Sequence, residues 1–174
     1  CKKVATMQPG LGRAKATSPG LVRAAADRMA GQTSAWFVEV DGEAPPRETI
    51  LSDLAREIRL GRDGYHVAKS MENMGWYPDT QLVEILDGAG YAIHSAHEAA
   101  VKAWVAANGI VLGIPVGAQV MTTAPYAPSG IVGGHMPETA QYVIREPGRK
   151  TDGGYIIDAE RVTIAPEAGA SDAA

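Results

Sequence analysis

The chain of 174 residues has one cysteine, Cys1, so no disulfide can form within it. No apolar run approaches the roughly 18 residues that a bilayer-spanning helix needs, and a soluble, cytoplasmic protein without a membrane span is expected. Clustered basic residues are also scarce. The sixteen Lys and Arg are scattered, only Lys2-Lys3 and Arg149-Lys150 are adjacent, and the formal net charge is −4. Affinity for nucleic acid comes mainly from clustered cations on a polyanion, so direct nucleic-acid binding is disfavoured. There is no G-x-S-x-G turn for a nucleophilic serine, no Walker loop and no dinucleotide fingerprint. No cofactor is expected.

What is present is an ordinary globular composition, 45% hydrophobic and 21% charged, long enough to bury most of its apolar surface without a metal or disulfide. Cys1 is not the product of ordinary initiation. A processed lipoprotein start, a cloning scar and an incomplete gene start are the three readings, and Met7 is an alternative first residue.

Residues 1–17 show no apolar periodicity and are expected to form a flexible arm. Ser18-Pro19 is a hydroxyl cap followed by a proline at the first helical position, predicting a helix through Leu21, Val22, Ala25 and Met29 that ends near Gly31. Trp36-Phe37-Val38-Glu39-Val40, stopped by Asp41-Gly42, predicts a short strand. Helical spacing returns at Ile50, Leu51, Leu54 and Ile58, opposite a solvated face that includes Arg47, Glu48 and Arg56. Further helices are predicted over Tyr65–Met74, around Leu82 to Leu86 with a cap at Asp79 or Thr80, and from Tyr91 to Ala107. Asn108-Gly109 closes the last of these.

From Ile110 onward the helical period is lost, and short β-prone runs alternate with Gly and Pro. They are Val111-Leu112, Ala118–Thr123, Gly130–Val132, Ala140–Arg145, and Tyr155–Ile157 followed by Val162 and Ile164. Five short strands suit a small closed barrel, and their order resembles an SH3-like barrel. The predicted class is α+β: a helical part of four to five helices with one short strand over 18–109, an SH3-like β-barrel over 110–166, and a disordered tail over 167–174.

Few residues suggest chemistry. His94 and His97 are three apart on a helix, but the zincin pattern requires i and i+4 with Glu after the first His. No metal site is assigned. Ser129 and His135 are the nearest approach to a nucleophile and base, yet Ser beside Gly130 is usual turn composition. Gly130, Gly133 and Gly134 lie among strands and suit curvature or a bulge rather than a phosphate loop. Asp152 with Asp158 and Glu160, and Glu84 with Asp87, are carboxylate pairs without a catalytic assignment.

The aromatics suit binding better. Trp76 and Tyr77 in a turn, and Tyr126 between prolines, are candidate anchors of a protein interface. His135, Arg145 and Tyr155 complete the candidate contact set. The expectation is a non-enzymatic protein-binding module, of the kind a phage or mobile element uses as an accessory or inhibitor of a host complex. The partner is another protein, and the composition is silent on oligomeric state. Two alternatives stand beside it. Nitrile hydratase β chains place helices ahead of an SH3-like barrel, and this layout is loosely similar to theirs. That resemblance implies a supporting enzyme subunit, since the metal-binding cysteine cluster of the partner subunit is absent here. A nucleic-acid accessory factor is the other.

Overall fold

A computed structural model of the chain describes residues 12–59, 61–148 and 153–166. Those residues form five α-helices followed by a five-stranded antiparallel sheet, in keeping with an α+β class. Contacts divide the chain into two compact units, Arg13–Val101 and a second unit that holds the chain from Lys102 onward, so the division falls inside the fifth helix. Each unit has its own apolar core. Most of the arm expected over 1–17, and all of the tail expected over 167–174, lie outside the described residues.

In the helical unit, α1 (Pro19–Asp41), α2 (Arg47–Glu57), α3 (Gly64–Glu72) and α4 (Thr80–Asp87) precede α5 (Ala89–Asn108). The strand predicted at Trp36–Val40 is not formed, and α1 does not stop near Gly31. One helix runs through both. The reason is packing. Met29, Ala30, Thr33, Trp36 and Phe37 recur at helical spacing and are all buried, and this outweighs the strand propensity of the segment. Gly31 lowers helix propensity by about 1 kcal/mol relative to Ala, too little to break a helix held by such a stripe. Val38 and Val40, which a strand would have buried with Trp36, are instead exposed.

Trp36, Phe37 and Trp76 form the centre of this core. The two indoles stack 6.5 Å apart, and Phe37 meets each edge-on at 4.8 Å. Both indole N–H groups are satisfied by carboxylates. Trp36 Nε1 donates to Asp79 Oδ1 at 2.9 Å, and Trp76 Nε1 donates to Asp53 Oδ2 at 3.1 Å. The same Asp79 oxygen caps α4 by accepting from Leu82 N–H at 2.8 Å.

Asp63 plays the corresponding part for α3, accepting from the His66 N–H at 2.8 Å and contacting the ring Nδ1 at 2.7 Å. The backbone N–H first, and then the ring, hold the Asp63 carboxyl below its ordinary range. A depressed carboxyl stabilises the fold above its unfolded pKa, and that contribution disappears as pH falls through the folded value. Asp63→Asn keeps the cap acceptor but does not ionise. Its urea midpoint should therefore change less than the wild-type midpoint as pH falls below about 4. Parallel curves would show that the carboxylate form adds nothing.

In the second unit the strands are β1 (Gln119–Thr122), β2 (Ser129–Met136), β3 (Gln141–Arg145), β4 (Tyr155–Asp158) and β5 (Val162–Ile164), in the order β4-β3-β2-β1-β5. Val111-Leu112 is not a strand but part of the irregular segment leading to β1. The sheet is open, with β4 and β5 at its edges, so the closed barrel is not formed. These edges are only four and three residues long, and closure requires edge strands that pair. The pairing of β2 with β3 shifts between Val132 and Gly134, so Gly133 is the extra residue of a bulge, as the glycine run predicts. One face carries the core of Val120, Val132, Tyr142, Ile144, Ile157 and Val162.

Candidate functional site

The loop joining β1 to β2 contains Pro125, Tyr126 and Pro128, and it is fastened from its base. Thr122 Oγ1 donates to Ala127 O at 2.5 Å and accepts from Ala124 N–H at 3.0 Å, while Thr122 N–H donates to Pro128 O at 2.9 Å. Ala124 and Ala127 turn into the core. Tyr126, between them, turns outward and is 55% exposed. Its ring lies 5.7 Å from that of Tyr155, tilted by 52°. Tyr155 opens β4, and its hydroxyl donates to Glu146 Oε1 at 3.0 Å. The result is two aromatic rings presented on a hydrogen-bonded frame, with a carboxylate at their polar edge.

Arg145 and His135 take other positions. Arg145, at the end of β3, is exposed, and its stem lies over the bulge. A Cβ at Gly133 would come within 2.6–2.8 Å of Arg145 Nε, Cδ and Cγ, so the bulge glycine makes room for the arginine. His135 is a fastener. Its Nε2–H donates to Ile114 O at 2.8 Å, Ile114 N–H donates to Tyr142 Oη at 3.1 Å, and the His135 and Tyr142 rings meet edge-on at 5.4 Å. Both polar groups of one peptide residue are thereby satisfied by neighbouring strands.

Of the six candidate contact residues, the structure brings Tyr126 and Tyr155 together. Trp76 and Tyr77 belong to the helical unit. Trp76 is a correction: it is 7% exposed and is a core residue. Tyr77, the next residue, projects at 85% exposure.

The residues weighed for chemistry also have structural employment. His97 Nε2–H donates to Ala14 O at 2.9 Å, and His94 is exposed. Among the described residues, no three His, Cys, Asp or Glu side chains are grouped to hold a metal. Asp87 Oδ1 accepts from Gly64 N–H at 2.6 Å. Asp158 Oδ1 accepts from Gln141 Nε2 at 2.9 Å, and Asp152 lies outside the described residues.

Two features escape a reading of the sequence. One is the Thr122 frame, since a threonine ending a strand looks like any β-prone residue. The other is the outer face of the sheet, where the register aligns Val143 with Ile156 and leaves Ile156 and Met121 exposed at 52% and 49%. Alternation in β1 and β4 could have located it. No helix among the described residues is long and apolar enough to cross a membrane. No known protein family, curated protein or solved structure matches the chain.

Proposed function

We propose that the chain is a non-enzymatic protein-binding module whose contact face centres on Tyr126 and Tyr155. The observation that carries this reading is the fastened loop. An exposed tyrosine held by three hydrogen bonds at its loop base, and backed by a second ring, loses little conformational freedom when a partner covers it. Tyrosine is also among the residues that dominate binding energy at protein interfaces. Arg145 is assigned a secondary contact, and His135 the role of fastening Ile114 and Tyr142 within the same sheet. The strand order, with a 3-10 helix at Ala159–Arg161 leading into β5, supports reading the sheet as an SH3-like barrel left open between β4 and β5. The face then lies on the loops flanking it. An accessory or inhibitory role toward a larger complex belongs to the same proposal.

Tagged protein incubated with lysate of its native host should retain one dominant protein at low salt and at about 0.5 M salt, where charge–charge attraction is screened within a few ångströms. Tyr126→Ala should weaken that complex by about 30-fold or more, as truncation of an interface anchor does, with an unchanged thermal midpoint. Retention of the partner at wild-type strength by a folded Tyr126→Ala variant would move the contact face elsewhere. Capture of no protein at either salt would remove the binding-module reading.

A further inference from the structure

The helical unit contains a second feature, independent of the Tyr126 face. Helices α1 and α4 lie against each other: Trp36 bonds Asp79 near the start of α4, and Gln81 Nε2 donates to Glu39 Oε2 at 3.1 Å. Between them lies an open groove of about 470 Å³. Its floor is apolar, made by Ala35, Trp36 and Ile85, and both charged residues that line it, Glu39 and Glu84, are acidic. The bond from Gln81 holds the Glu39 carboxylate at the rim. Glu84 has no ion-pair partner among the described residues. Glu39 also stands in the last turn of α1, where no basic residue offsets the negative helix end and Asp41 follows. Val38, one turn beyond Ala35 on the helix, extends the apolar lip and is 52% exposed.

We infer that this groove receives a basic amphipathic segment of another protein, with an aliphatic side chain on the Ala35–Ile85 floor and Lys or Arg side chains reaching Glu39 and Glu84. The charge pattern selects this occupant. An acidic segment would meet like charge at both rims, and a purely apolar one would partly desolvate both carboxylates, leaving Glu39 with only the Gln81 amide and neither with a cation. A basic segment offsets both costs while covering the floor and Val38.

The test uses the whole protein and two short amidated helical peptides of one apolar pattern, one of leucine and lysine and the other of leucine and glutamate. The leucine–lysine peptide should shift amide resonances of α1 and α4 specifically. Ala35→Phe, an exposed helical position, fills the groove and should weaken it about tenfold, and Glu39→Gln with Glu84→Gln about fivefold at low salt, the latter difference shrinking at about 0.5 M salt. If Ala35→Phe alters the fold, the double Gln variant, which keeps an acceptor for Gln81, decides alone. Equal binding of the glutamate peptide, unaltered affinity in the folded variants, shifts scattered over the acidic surface, or no binding of the lysine peptide would each overturn the inference.

Discussion

Trp76→Ala is expected to destabilise the helical unit by about 3–5 kcal/mol, the usual cost of truncating a buried large aromatic. That is a large fraction of the 5–15 kcal/mol that separates folded from unfolded domains. Three losses coincide at this position. The cavity opens beside Trp36 and Phe37, both of which pack directly on the Trp76 ring. The Asp53 carboxylate loses the indole donor it accepts from. The aromatic cluster also links α1 to the turn ahead of α4, so its loss separates elements distant in the chain. Trp76→Phe keeps one aromatic ring but loses the donor and part of the ring volume, and should cost about 1–3 kcal/mol, less than the alanine variant. Urea unfolding followed by far-UV circular dichroism reads both. A change below about 1 kcal/mol for Trp76→Ala would mean that the side chain is not buried in solution, and the sequence-based view of Trp76 as a surface anchor would be restored.

Two glycine substitutions should move stability in opposite directions. Gly64 opens α3 at its closest approach to α4, where a Cβ would meet the backbone oxygen of Val83 and lie 2.5 Å from Asp87 N and 2.6 Å from Asp87 Oδ1. Backbone cannot swing aside as a side chain can, so Gly64→Ala must separate the helices and stretch the Gly64–Asp87 hydrogen bond. A loss of about 2–3 kcal/mol is expected, as for overpacking combined with a weakened buried bond. Gly31 lies within α1, with nothing within 4 Å of its hypothetical Cβ. Gly31→Ala should therefore add stability, by up to about 1 kcal/mol, through helix propensity alone. Denaturant midpoints of the two variants on either side of wild type are the expected result. If both variants lie on the same side, the close approach of α3 to α4 is not as described.

The helices were legible where burial and periodicity agree. Ile50, Leu51, Leu54 and Ile58 sit at the spacing of one helix face, and all four are buried. Asp79 was legible as one of two candidate caps, with Thr80, from its position ahead of Leu82, whereas its second bond, from the Trp36 indole, was not. The segment Trp36–Val40 misled because two β-branched residues and two aromatics look like a strand when taken alone. Only the stripe arriving from Met29 and Ala30 decides otherwise, and Gly31 interrupts it to the eye without interrupting it in energy. In the sheet, the bulge at Gly133 could be anticipated from adjacent glycines in a β-prone run. Closure could not, because whether two edge strands meet depends on curvature accumulated over every strand between them. The Tyr126–Tyr155 pair was legible only as two separate tyrosines. Their meeting requires the β1–β2 loop to reach the start of β4, which is a property of the folded sheet.

The hydrogen bonds that shape the β1–β2 loop come from Thr122, Thr123, Ala124, Ala127 and Pro128, with Arg161 O as the one partner outside it, and none uses the side chain at position 126. Scaffold and display are thus encoded by different residues. A lineage could exchange the tyrosine for another side chain, and on the proposed reading change partner, without revising the loop that carries it. In the laboratory the same separation makes position 126 a site for a fluorophore or a photocrosslinker that reports on binding while the frame stays as it is.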